Sequence, residues 1–221
     1  MPERRRKATD DEIFAAAQRA MTRRGPHELT LADIAAEAGV SAGRLVQRFG
    51  SKRALLLVLA ERFAGGAGTL FEGLRATHRH PLATLRAYAT CMADLAATPE
   101  ALSRNLAYLQ IDLIDPEFRA HLLTNARATR LEIESLLRSA VMEGALRRDT
   151  DTARLARTIE TVISGSLMSW ACYREGPAAA WIRRNLDAVL QPHLSLRRRP
   201  GVPTSGRFSR RQTKRRNTSR G

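Results

Sequence analysis

The sequence has few of the residues that mark secreted, membrane-spanning or zinc-binding proteins. Two of its 221 residues are cysteine, Cys91 and Cys172, and neither has a CxxC partner or a histidine at zinc-ligand spacing. No stretch approaches the roughly 20 uncharged apolar residues that span a membrane, and the charged start lacks the apolar core of a signal peptide. We therefore expect a soluble cytoplasmic protein with buried free thiols, no metal site and no membrane partner.

Sequence motifs of the common enzyme classes are also missing. The chain has no GxSxG, no HExxH and no phosphate-binding loop, and neither cysteine has a base beside it. The sequence therefore predicts that the protein is not an enzyme and that it carries no cofactor.

Aromatic residues are scarce at 5%, whereas 43% of the residues are hydrophobic, and this share rests on alanine and leucine. Both residues favour helices, and none of the apolar segments has the alternating pattern of a strand. The sequence therefore predicts an all-α fold. The apolar pattern is lost after about residue 196, where too few apolar groups remain to offset chain entropy, so we expect residues 197–221 to be a disordered basic tail.

The first sixty residues have the caps and turns of a compact helical module. Helix caps are expected at Thr9, Thr30, Ser41 and Ser51. Stops are expected near Gly25-Pro26, at Gly39 and at Gly50. The two short helices on either side of Gly39 would cross steeply, with Ile34, Val40 and Leu45 between them. The second of them would be exposed on one side, as a helix that enters the DNA major groove must be.

These residues resemble the N-terminal pattern of the TetR family of transcriptional regulators. The matching positions are Thr30, Ile34-Ala35, Ala38-Gly39-Val40-Ser41, Gly43, Leu45, Phe49, Ser51-Lys52 and Leu55. The resemblance implies a three-helix helix-turn-helix DNA-binding domain at 9–59. The basic arm before it, at 1–8, contains the run Arg4-Arg5-Arg6-Lys7 and is either an arm for the DNA minor groove or a solubilising end. The resemblance also implies a larger helical ligand-binding and dimerisation domain at 60–196, whose stretch from Asp112 to Arg119 resembles BetI-like repressors.

The resemblance implies that the helix from Ser41 to Phe49 is the recognition helix. It also implies that Lys52 contacts a phosphate of the DNA backbone. The expected DNA-binding residues are Thr30, Ser41, Ala42, Gly43, Arg44, Gln47, Arg48 and Lys52. Val46 stands where the family usually has tyrosine, and Arg48 where tyrosine or histidine is common. Our hypothesis is that Arg44 and Arg48 partly replace the missing hydroxyl. The alternative is that both are solvated helix residues without base contacts.

Apolar stripes on the last two helices predict a homodimer interface that forms a four-helix bundle. Those stripes are Leu155, Ile159, Val162, Ile163, Ser166, Leu167 and Trp170, then Trp181, Ile182, Leu186, Val189 and Leu190. Small residues at Ser164, Gly165 and Ser166 would let helices approach closely. The alternative is that the stripes are intramolecular core. Candidate residues for a small-molecule effector are Tyr88, Met92, Tyr108, Asp112, Asn125 and Trp170, although ordinary core packing is the more frequent role of such residues.

The net charge of +15 is concentrated at the two ends of the chain. Residues 197–221 contain ten basic and no acidic residues, whereas residues 61–196 contain 16 basic and 15 acidic ones. A basic segment attracts any polyanion without reading sequence. The resemblance to the TetR family implies a repressor that binds a palindromic operator in double-stranded DNA as a dimer and is released by a small-molecule effector. The alternative is a nucleic-acid packaging protein that binds through its basic ends without sequence preference.

Overall fold

The computed structural model describes residues 8–195, except for the side chain of Leu95. This part of the chain is all-α, as the sequence predicts, and contains no strand. Its helices are α1 (Asp10–Arg23), α2 (Leu31–Ala38), α3 (Ala42–Phe49), α4 (Lys52–Ala64), α5 (Ala67–Thr77), α6 (Pro81–Ala93), α7 (Pro99–Ile114), α8 (Pro116–Met142), α9 (Thr152–Tyr173) and α10 (Ala178–Leu190). Short 3-10 segments follow α6 (Asp94–Ala96) and α10 (Gln191–His193). The predicted tail at 197–221, and residues 1–7 of the predicted basic arm, lie outside the described residues.

Side-chain caps set the starts of the first four helices. The Thr9 hydroxyl accepts the Glu12 backbone N–H at 3.2 Å, and the Glu12 carboxylate accepts the Thr9 N–H at 2.8 Å. This reciprocal pair is the capping box that the sequence predicts for α1. Thr30, Ser41 and Ser51 cap α2, α3 and α4, again at the predicted positions.

A tight turn joins α2 to α3. Gly39 has a φ of 66°, in the left-handed region that favours glycine, and the Val40 N–H bonds to the Ala35 carbonyl at 2.9 Å. This bond ends α2 and turns the chain in the way typical of a helix C-terminus. Ile34 and Leu45 are fully buried, one from each helix. The predicted helix-turn-helix is therefore present, with the predicted residues in its core.

The helices pack around two separate apolar cores. The first contains buried residues of α1 to α4, from Ala8 to Leu59. The second contains buried residues of α5 to α10, from Phe71 to Leu190. Tyr108 of α7 packs against the first core, so the helices of the second core also contact the N-terminal module.

The large apolar residues of α9 and α10 face the chain's own core, which corrects the predicted dimer surface. The buried members of the predicted set are Leu155, Ile159, Ile163, Ser166, Leu167, Trp170, Ile182, Leu186 and Leu190. They are buried because α9 and α10 pack against each other and α10 also packs against α6. Val162, Trp181 and Val189 are partly buried. The alternative of an intramolecular core is correct for most of the stripe.

Within residues 8–195, no single helix is long and apolar enough to cross a membrane. The helices α4 and α5, bent by 44° at the break between them, meet that length and composition only as a pair. The same residues hold no group of three or more His, Cys, Asp or Glu side chains suited to a metal ion. Cys91 and Cys172 are free thiols, but Cys172 is exposed, so the prediction of burial is wrong for it.

Two glycines of the helix-turn-helix are expected to respond to alanine with opposite signs. At Gly39 the positive φ strains an L-residue, so Gly39→Ala should lower the free energy of unfolding by about 1 kcal/mol. Gly43 lies inside α3, where a Cβ meets no atom within 4 Å, so Gly43→Ala should raise it by about 0.5–1 kcal/mol. Urea denaturation of both variants measures the two signs. A loss of stability in both would contradict the assigned backbone of this turn.

Candidate nucleic-acid interface

One side of α3 faces solvent because the opposite side is anchored in the first core. Leu45 is fully buried and Phe49 is partly buried. Gly43, Val46 and Gln47 are exposed on the free side, and Val46 is 49% exposed. Ala42, in the first turn of α3, is partly buried. The free side combines small, apolar and amide groups, with space for another molecule to approach the helix backbone.

The two arginines of α3 have different surroundings. Arg48 lies 2.6 Å from a carboxylate oxygen of Asp10 in α1, and its guanidinium carbon lies 5.9 Å from the centre of the Phe49 ring. Arg44 is partly buried and makes no ion pair with any carboxylate among the described residues. The structure therefore separates the two residues that sequence reasoning treats alike. Within residues 8–195, no carboxylate compensates the charge of Arg44, whereas Asp10 compensates that of Arg48.

The hydroxyls of Thr30 and Ser41 already cap the N-termini of α2 and α3. The Thr30 hydroxyl donates to the Asp33 carboxylate at 2.6 Å, and the hydrogen bonds from Thr30 lower the pKa of Asp33 below its usual value. The Ser41 oxygen accepts the Arg44 N–H at 3.4 Å. Both residues are exposed. Ser41 still has its O–H to donate, while Thr30 would have to turn its O–H away from Asp33 to reach a phosphate.

Lys52 is tied to the loop between α1 and α2. Its ammonium donates to the carbonyl of Pro26 at 2.9 Å and to that of Leu29 at 2.8 Å. An ammonium has three donors, so one is left for a phosphate. Lys52 thus holds the start of α4 against the loop that leads into α2. Sequence reasoning missed this role, because the contacts join residues more than twenty positions apart.

Comparison with known proteins decides the family. A model described as "Bacterial regulatory proteins, tetR family" matches residues 13–59. A second, described as "Tetracyclin repressor-like, C-terminal domain", matches residues 83–186. The two matches together cover more than half of the chain. The chain belongs to the TetR family. TetR-family proteins are DNA-binding transcriptional regulators and not enzymes, in agreement with the missing enzyme motifs.

Solved structures of TetR-family regulators share the fold of this chain. A TetR regulator from Haloarcula marismortui matches with a TM-score of 0.64 and 19% identity, over 84% of this chain and 98% of the other. SmeT from Stenotrophomonas maltophilia matches with a TM-score of 0.61 and 23% identity, over 90% of this chain and 96% of SmeT. FadR from Thermus thermophilus matches with a TM-score of 0.54 and 26% identity, over 88% of this chain and 99% of FadR. No curated protein matches the chain.

Three of the residues expected to bind an effector in this TetR-family chain belong to the second core or pack against it. Tyr88 and Trp170 are buried in the second core, and Met92 packs against it. The Trp170 indole N–H donates to the Gly176 carbonyl at 2.9 Å, and burial raises the pKa of Tyr88 to about 12. None of the six residues lines the cleft between α1 and α2 or the cleft between α6 and α10.

Tyr108 lies between the two cores. Its hydroxyl donates to the Arg24 carbonyl at 3.0 Å, and burial raises its pKa to about 12. The Arg104 guanidinium on the same helix donates to the Thr22 carbonyl at 2.9 Å. Both side chains therefore satisfy carbonyls at the C-terminal end of α1, where a cation is also favoured by the helix dipole. The structure places Tyr108 at the junction with the TetR-type DNA-binding module.

Asp112 and Asn125 are partly buried, and neither side chain makes a hydrogen bond or ion pair with another described residue. Desolvation raises the pKa of Asp112 above its usual value. A carboxyl group whose pKa is raised on folding makes the folded protein less stable as the pH rises from its unfolded pKa to its folded pKa. The reason is that the folded state disfavours the charged form of the group. The side chains of Asp112 and Asn125 therefore have polar groups that no other described residue uses.

A salt bridge that sequence reasoning missed joins α4 to the α7–α8 corner. The Arg53 guanidinium holds Asp115 through contacts of 2.7 to 3.0 Å and Glu117 at 2.5 Å. It also lies 5.6 Å from the centre of the Phe118 ring. The hydrogen bond from Arg53 lowers the pKa of Asp115, which at the same time caps α8. Helical periodicity gives no sign of a pair 62 residues apart.

Replacing Lys52 by methionine tests its structural role. Lys52→Met removes two charge-assisted hydrogen bonds and should lower the free energy of unfolding of the DNA-free protein by about 1–2 kcal/mol. Arg44→Met is the matched control, because it removes a cation of the same module that makes no ion pair within the described part of the chain, and its effect should stay within about 0.5 kcal/mol. Chemical denaturation measures both. If the two variants have the same free energy of unfolding, the hydrogen bonds of Lys52 do not stabilise the fold.

Proposed function

We propose that this TetR-family regulator is a repressor that binds a palindromic operator as a homodimer and is released by a small-molecule effector. In this proposal residues 9–59 form the DNA-binding domain and residues 60–196 the ligand-binding and dimerisation domain. The observation that carries the proposal is the free side of α3, which stands clear of the first core and adjoins Arg44, a residue that no carboxylate of residues 8–195 pairs with.

The chemistry of this side suits the DNA major groove. An exposed helix fits that groove, and its N-terminal residues reach the base edges while neighbouring helix ends meet phosphates. Gly43 lets the backbone come close, and Gln47 offers an amide that can pair with adenine. Arg44 offers five donors that no carboxylate of the described residues engages. We therefore assign Arg44 the direct base or phosphate contact.

The outward side of α9 supports a dimer. Between Glu160 and Arg174 the helix carries no charged residue. Its outward positions include Ser164, Gly165 and Met168, and the Met168 side chain is 50% exposed. Small, uncharged residues let two helices pack closely. The dimer would then use this side of α9, and the large apolar residues named from the sequence would support it from within each chain.

The junction between the cores offers a route by which an effector could change DNA binding. Arg53 links α4 to the start of α8, and Tyr108 and Arg104 link α7 to the end of α1. A ligand that prefers a different position of α7 and α8 would therefore shift both ends of the DNA-binding module. A coupling of about 1–3 kcal/mol, roughly 5–150-fold in DNA affinity, is typical.

Relatives support regulation by a small molecule. FadR from Thermus thermophilus is a repressor solved with lauroyl-CoA, and SmeT is the repressor of a multidrug efflux pump. The partly buried Asp112 and Asn125 are the polar groups that we assign to effector binding.

Selection from a pool of random duplexes by the full-length protein at physiological salt tests the DNA-binding proposal. The retained sequences should contain an inverted repeat with half-sites one helical turn, roughly 34–36 Å, apart. Arg44→Ala should weaken binding to that sequence by about 1–3 kcal/mol, or roughly 5–150-fold. The matched control is Arg127→Ala, which removes an exposed cation of α8. Retention without any motif would instead favour non-specific packaging through the basic ends.

Substitution of one glycine tests the dimer. Gly165→Arg places a long charged side chain on the outward side of α9, where a Cβ meets no atom of the same chain within 4 Å. Arginine also favours helix more than glycine does, so the subunit should stay folded. Light scattering at micromolar concentration should show a dimer for the unmodified protein and a monomer for Gly165→Arg. Gly73→Arg, an equally open helical position on α5, should remain dimeric. A monomeric unmodified protein would exclude this proposal.

A further inference from the structure

The ion pair between Arg48 and Asp10 connects the recognition helix to the start of α1. The two charged groups are 2.6 Å apart, and both side chains are accessible to solvent, at 41% and 44%. Asp10 is the first residue of α1, and Arg48 is in the last turn of α3. The pair therefore places a carboxylate beside a cation on the module that meets DNA.

Packing holds the two partners within reach of each other. One turn after Asp10, Phe14 packs edge-on against Phe49 with ring centres 5.8 Å apart. Asp10 lies between Thr9 and Glu12, whose capping box fixes the first turn of α1. Asp10 is thus held opposite Arg48 by contacts that do not depend on the ion pair.

A carboxylate in this position competes with DNA for Arg48. A phosphate that approaches the guanidinium meets Asp10 well inside the Debye length of about 8 Å at physiological salt, so salt screens the repulsion by Asp10 only in part. Exposed ion pairs contribute only about 0–1 kcal/mol to stability, which makes this pair a weak stabiliser of the fold. Its larger effect is to cancel one positive charge on the DNA-facing side.

From this geometry we infer that Asp10 is an internal competitor for phosphate that weakens the sequence-independent binding of the regulator to DNA. With Asp10 in place, Arg44 is the one arginine of α3 that no carboxylate of the described residues compensates. Without it, α3 offers two, and Arg48 can bind a phosphate in any register along the duplex. The inference rests on the proposed DNA-binding face.

The test compares Asp10→Asn with Asp11→Asn, using a duplex of random sequence and a range of salt concentrations. Both variants remove one negative charge from the first turn of α1, so their effects on the helix dipole match. Asp11, however, pairs with Arg62. Arg62 lies ten residues beyond Lys52 on α4, about 15 Å further along the helix than the end that adjoins α3.

Asp10→Asn should tighten random-duplex binding several-fold at 50 mM salt, and the gain should shrink as salt rises. The salt slope should become steeper by about 0.9 per subunit, the value for one added phosphate contact. Asp11→Asn should leave the slope unchanged. In an Arg48→Gln background, Asp10→Asn should have no further effect on the slope, because the cation that it frees is gone.

The possible failures can be told apart. Equal slopes for Asp10→Asn and Asp11→Asn, or an effect of Asp10→Asn that persists without Arg48, would overturn the inference while leaving operator binding intact. If the unmodified protein selects no operator and Arg44→Ala changes nothing, the proposed DNA-binding face itself is wrong. A loss of helix content in Asp10→Asn but not in Asp11→Asn, measured by circular dichroism, would make Asp10 a structural residue and also overturn the inference.

Discussion

α3 has eight residues, too few for a stable helix in water, so its existence depends on what holds it from one side. Leu45 supplies the buried anchor, Ser41 caps the start, and the left-handed backbone at Gly39 brings the helix against α2. Since a helix this short can bury only one side, the opposite side must face solvent. The exposure that suits the major groove is thus a consequence of the way in which the module folds.

Carboxylates compensate most of the arginines of the N-terminal module. The pairs are Arg19 and Arg23 with Glu37, Arg24 with Asp33, Arg48 with Asp10, Arg53 with Asp115 and Glu117, and Arg62 with Asp11. Arg44 has no such partner among residues 8–195. A DNA-binding module with few free charges gains little from phosphates alone, so its base contacts weigh more in the total affinity. The pairing pattern therefore favours a sequence-specific regulator over a packaging protein for the part of the chain that the structure describes.

The contacts between the two cores use polar groups whose positions depend on helix ends. Tyr108 and Arg104 bond to the last carbonyls of α1, and Arg53 holds the residue that caps α8. A shift of α7 or α8 would therefore alter hydrogen bonds at the ends of α1 and α4 together. Such a junction can transmit the state of the larger domain to the helix-turn-helix without a continuous apolar interface.

The sequence by itself determined the all-α class, the caps at Thr9, Thr30, Ser41 and Ser51, and the turn at Gly39, because each depends on a few neighbouring residues. It also indicated the TetR family, because many independent positions in one short stretch match the pattern of that family. It could not tell which side of α9 faces its own core, since an amphipathic stripe looks the same against either partner. Nor could it separate Arg44 from Arg48 or find the Arg53 junction. Those distinctions arise from pairs 38 and 62 residues apart, which only the packing of the folded chain brings together.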